Sequence, residues 1–165
     1  MNRKLAELSE TEARKNYHGY VCGTEANLNP VINSFPAWNM RKRDGQWNAA
    51  FVYYCVRKSG SDLPVRYPSD SVSCNFAGCI AWEQWASLPE VDRWIPYELD
   101  MVCEEGDIIL FDSVVNGQIR DTIGIVVENR ENSVLVAEGN FNNISVVVER
   151  KKDNHIRGLI RTTDL

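Results

Sequence analysis

The sequence predicts an α+β domain: an antiparallel sheet of about five strands packed on one buried helix. Three observations carry that expectation. Residues 47–58 are apolar almost all round, which marks a helix enclosed by the protein rather than lying on its surface. After Glu105-Gly106 the texture changes to short β-branched runs separated by Asn, Gly and Asp. Helical segments precede strands instead of alternating with them, the order expected when helices gather on one side of an antiparallel sheet.

Taken in order, residues 7–20 read as a polar helix. Ser9 and Glu12 have the spacing of a capping box, and Leu5, Leu8 and Ala13 supply an apolar face. Residues 27–45 read as loop, punctuated by Pro30, Pro36 and several asparagines. The helix over 47–58 ends at Ser59-Gly60, with Gly60 suited to a left-handed C-terminal cap. Residues 62–75, rich in Pro, Ser and Asp, form a loop. A second helix over 78–87 presents Ile80, Trp82, Trp85 and Ala86 and stops at Pro89. Strands are expected over 107–112, 122–128, 133–137, 144–149 and 156–161. The whole chain reads as one domain, with 1–44 a helix-and-loop extension and 45–165 the core.

Composition narrows the function. The 165 residues are 44% hydrophobic and 25% charged, with five Trp and six Tyr, an ordinary globular balance large enough for a core without staples. A net charge of −5 argues against a general nucleic-acid binder. The short run Arg41-Lys42-Arg43 is followed by Asp44 and reads as a solvated loop. Cys22, Cys55, Cys74, Cys79 and Cys103 form an odd set without a C-x-x-C pair, and the chain has only His18 and His155. Neither a structural metal nor a cofactor is expected. The first ten residues lack a signal-peptide core, and no segment has the length of a membrane span. Reduced thiols in a cytosolic setting are the expectation, although a piece of an exported protein would read the same.

Four motifs then appear in order. Gly45-Gln46-Trp47-Asn48-Ala49-Ala50-Phe51-Val52 resembles the G-x-W-C-A-A-F-V start of the nucleophile helix in CHAP domains, the cysteine- and histidine-dependent amidohydrolases and peptidases of bacterial and phage cell walls. Gly106-Asp107-Ile108-Ile109-Leu110-Phe111-Asp112 resembles their G-D-I-V-x-F strand. Asp121-Thr122-Ile123-Gly124-Ile125-Val126-Val127 resembles D-H-V-G-I-V, and Ala137-Glu138-Gly139-Asn140 resembles their E-G-N segment. The resemblance implies a papain-like CHAP-type fold over about 45–161. It also implies that Asn48 stands at the nucleophile position, Thr122 at the base position, and Glu138 or Asn140 at the orienting position.

That substitution pattern has chemical consequences. A thiol at a helix start is helped toward thiolate by the helix dipole and a neighbouring imidazole, which then shuttles the proton. An amide is not a usable nucleophile, and a threonine hydroxyl is no base near neutral pH. In a serine triad, loss of either member alone costs about 10⁶ in turnover. The resemblance therefore implies a degenerate scaffold that binds a peptide, a cell-wall fragment or a protein partner, through Trp47, Asn48, Asp121, Thr122, Glu138 and Asn140. Trp38, Trp47, Tyr53 and Trp82 either line a cleft or belong to the core and its rim. As plain structure, Asn48 caps a helix, Thr122 suits a strand, and Glu138 and Asn140 satisfy a turn. The alternative is an active hydrolase using Cys79, at the start of the 78–87 helix, with His18 or His155 as base. Cys55 reads as a packed core thiol.

Overall fold

The computed structural model describes residues 1–19, 25–35, 46–61, 63, 74–98, 101–163 and 165. The elements are α1 (Arg3–Ala13), α2 (Asn29–Ile32), α3 (Asn48–Lys58), α4 (Cys79–Ala86), β1 (Trp94–Pro96), β2 (Ile108–Phe111), β3 (Thr122–Asn129), β4 (Ser133–Phe141), β5 (Ile144–Lys151) and β6 (Ile156–Ile160). The architecture is α+β. Among the described residues all the strands join one antiparallel sheet in the order β1-β6-β2-β3-β4-β5, six strands where the sequence predicts about five. The additional strand, β1, is only three residues long and ends in Pro96, too short to show a period.

The first helix departs from expectation at both ends. It starts at Arg3, where Asn2 Oδ1 accepts from the Leu5 amide at 3.2 Å. Ser9 caps nothing; it lies inside the helix and donates to Ala6 O at 2.9 Å. The capping-box spacing is matched, but Asn2 offers an equally good cap about two turns earlier and brings Leu5 and Ala6 into the apolar stripe. The helix stops at Ala13 rather than near Tyr20. Asn16 turns left-handed, with φ of 53°, and Tyr17 N then bonds Ser145 Oγ at 2.8 Å. Gly60 follows α3 with φ of +93°, the conformation a left-handed cap requires.

Helices α1 and α3 pack on one face of the sheet. Leu5, Ala13, Phe51, Cys55, Ile123, Ile125 and Ala137 share its core, so the amino-terminal helix is part of the principal hydrophobic cluster. Alternate residues point to the other face, where Ile109, Phe111, Val126, Val136, Ile156 and Leu159 form a second cluster with Cys103. Strand β2 is consequently buried on both faces. Two motif glycines make this packing possible. A Cβ at Gly139 would stand 2.4 Å from Phe51 Cβ, so only glycine lets α3 approach β4 this closely. At Gly124 a Cβ would meet Val136 Cγ1 at 2.3 Å and Glu138 Cγ at 2.9 Å. The β4–β5 hairpin closes through Asn142 and Asn143, both with positive φ, as a two-residue turn matched to strand twist.

Among the described residues no helix is long and apolar enough to cross a membrane, and no group of three or more His, Cys, Asp or Glu could hold a metal ion. The described cysteines Cys55, Cys74, Cys79 and Cys103 are free. Cys22, Trp38, Pro36, the run Arg41-Lys42-Arg43 and Gly45 lie outside the described residues.

Candidate functional site

The start of α3 meets the start of β3. Asn48 is the first helical residue and Thr122 the first residue of its strand. The Asn48 amide Nδ2 donates to Thr122 Oγ1 at 3.2 Å and to Asp121 O at 3.3 Å. Asn48 Oδ1 accepts from the Ala49 amide at 3.0 Å, satisfying one of the donors a helix start leaves open. Asn48 is 7% exposed and Thr122 3%. Two positions 74 residues apart, singled out because their side chains are chemically wrong for hydrolysis, thus form one buried contact. As it stands this pair holds neither a nucleophile nor a base.

Asp121 is adjacent in the chain but has another task. Its carboxylate accepts from the Val115 and Asn116 amides and so ties down the loop over 113–120. Across that loop Asp112 Oδ1 accepts from Arg120 N at 2.6 Å. Asp112 also meets Arg157 at 3.2 Å, and Arg157 pairs in turn with Glu83 of α4. Burial raises the Glu83 carboxyl, but Arg157 and Arg120 outweigh it and hold the group below the usual carboxylate range.

Glu138 lies on β4 directly opposite Gly124 of β3 and is 1% exposed. Its two oxygens accept from Arg150 Nε at 2.8 Å and Nη2 at 2.7 Å, a fork-to-fork pair. The guanidinium also sits 5.5 Å from the ring centre of Phe111 and 5.4 Å from that of Phe141. Burial pushes the Glu138 carboxyl up and Arg150 draws it back; Arg150 itself is raised despite its burial, because Glu138 holds the charge in place. Asn140 follows in a left-handed conformation, φ of 64°, where the β4–β5 register shifts. Glu138 and Asn140 therefore belong to a strand and its irregularity, not to a turn.

Trp47 is fully buried, edge-on to Phe51, with its indole N–H 3.4 Å from Asn143 Oδ1. Tyr53 and Trp82 are buried in the same core, around Phe76. These three aromatic rings occupy the core position, not the cleft position, of the two expected for them.

Cys79 is closer to the pair than its position in the sequence suggests. It is the first residue of α4, and the Asn48 side chain favours its thiolate by less than burial opposes it. Burial pushes its thiol up to about 12, so at neutral pH it is a thiol and not a thiolate. The histidine ring contacts lie elsewhere. His18 Nδ1 is 3.1 Å from Gly19 O, and His155 Nδ1 is 3.0 Å from Asp112 O. Cys55 is buried in α3 and its thiol is raised well above the ordinary value.

Arg150 is the residue sequence reasoning missed. The predicted strand stops at 149, so the arginine falls outside the sheet. The usable signal was the alternation Val146, Val148, Arg150, which extends the strand and turns the arginine toward the second face. No family model matches the chain, and neither a curated protein nor a solved structure matches it significantly.

Proposed function

We propose that this domain is a catalytically silent amidase or peptidase scaffold of the CHAP type, one that binds a peptide-like or cell-wall-derived ligand or a protein partner. The observation that supports this reading is the 3.2 Å contact between Asn48, at a helix start, and Thr122, at a strand start. A thiol–imidazole couple would need those two seats to adjoin. With an amide and a hydroxyl in them, no proton is abstracted and no covalent intermediate forms. The test is hydrolysis of peptidoglycan and of γ-glutamyl peptide amides by the pure protein, together with its retention on insoluble peptidoglycan. No amine release with saturable retention is expected. Turnover that disappears in C79A would overturn the reading in favour of an active hydrolase built on Cys79. The thiol's high pKa and the engagement of both histidine rings elsewhere argue against that enzyme.

A second reading has its own support. Asn48, Thr122 and Glu138 are all buried and hydrogen-bonded within the protein, the arrangement of a closed structural module. Absence of retention on peptidoglycan, together with absence of turnover, would favour it.

A further inference from the structure

Resting on the reading of a silent scaffold, we infer that Arg150 is a positioning residue that withholds Glu138 from position 122, a third loss of catalytic competence beside Asn48 and Thr122. Glu138 is opposite Gly124, and Thr122 lies two residues from Gly124 on the same face of β3. Diagonal neighbours of that kind stand about 7–8 Å apart, within reach of a ring and a carboxylate extended toward each other. Gly124 carries no side chain to separate them, and Glu138 Cγ lies over it. Geometry alone would therefore allow Glu138 to receive an N–H from an imidazole at 122 and to stabilise its cation.

Arg150 prevents this in two ways. Its fork engages both carboxylate oxygens, and its head is fixed between the Phe111 and Phe141 rings. The resulting ion pair is neutral as a unit, so an incoming imidazole meets no net negative charge to favour its protonation. Breaking the pair would strand a buried charge, and that cost keeps the carboxylate where it is.

The experiment places an imidazole at the site and reads its titration by NMR. In T122H/R150M the imidazole is expected to titrate about one pH unit above that in T122H/E138Q/R150M, the shift an ionised carboxylate in contact produces. Equal values in those two proteins would overturn the inference. R150M strands a carboxylate and could fail to fold, so a crystal structure of the T122H protein supplies the second measurement. Glu138 still forked to Arg150 supports the inference; a carboxylate swung onto the imidazole overturns it. Neither measurement depends on hydrolysis. Turnover by the wild-type protein would end the reading of a silent scaffold without moving either one.

Discussion

Glu12 and Glu138 are both almost wholly buried carboxylates, 2% and 1% exposed, and they are neutralised in different ways. Glu12, on α1, accepts from the hydroxyls of Tyr17 at 2.8 Å and Tyr54 at 3.0 Å, and from Lys15 at 2.7 Å and Lys58 at 2.9 Å. Burial raises its pKa, but these four donors more than reverse the effect and bring it to about 2. Glu138 relies on a single guanidinium, and burial keeps its carboxyl above the ordinary value. Glu12 joins α1 to α3 with redundant partners, two of them lysines whose charges remain partly in water. Glu138 has one partner, itself largely buried, in the part of the sheet that faces the Asn48–Thr122 contact. Redundancy marks a structural knot. A single exclusive partner marks a place where one substitution changes what the carboxylate can do.

The sharpest way to break this comparison is R150M. It should cost about 3–5 kcal/mol in urea denaturation at pH 7, because Glu138 is left charged, buried and unpaired. The loss should shrink at acid pH, where Glu138 takes up a proton, and the double variant E138Q/R150M should recover part of it. An R150M protein as stable as wild type would show that the ion pair carries no structural weight.

E12Q should be milder at neutral pH, about 3 kcal/mol at most, and its signature is the pH profile. The folded-state pKa of Glu12 lies below the ordinary 4.5, so its contribution is complete above about 4.5 and is lost as pH falls toward 2. Wild-type stability should fall across that window relative to E12Q. Parallel profiles for the two proteins would contradict the assignment. Smallest is N48A, expected to cost about 1 kcal/mol, since it removes the partner of the Thr122 hydroxyl and of the Ala49 amide. Thermal unfolding of N48A beside wild type measures it.

Much of the sheet was legible because β-branched runs broken by Asn and Gly carry both strand preference and turn chemistry. The expected strand starts at Thr122, Ser133, Ile144 and Ile156 match the structure. The buried character of the helix over 47–58 was equally plain from its apolar girth. What escaped was everything decided by long-range pairing. Ser9 and Glu12 matched a local capping pattern, yet Ser9 lies inside a helix that starts earlier and bonds Ala6 O, and Glu12 is claimed by hydroxyls and ammonium groups from two other segments. At the candidate site the sequence put Asn48 at a helix start and Thr122 at a strand start, where they lie, whereas Glu138 was expected in a turn and belongs to β4. The motifs could not show that Arg150 would capture Glu138, because that partnership leaves no local mark in the chain.

The position of β6 has a consequence for how the protein is made. The last of the described strands lies between β1 and β2, one place in from the edge of the sheet. Until residues 156–160 have left the ribosome, Trp94–Pro96 have no neighbour to pair with and one side of Ile108–Phe111 stays open. Synthesis must therefore pass residue 160 before β1 can be joined to the rest of the sheet, so a nascent chain that stops short of β6 cannot complete the fold.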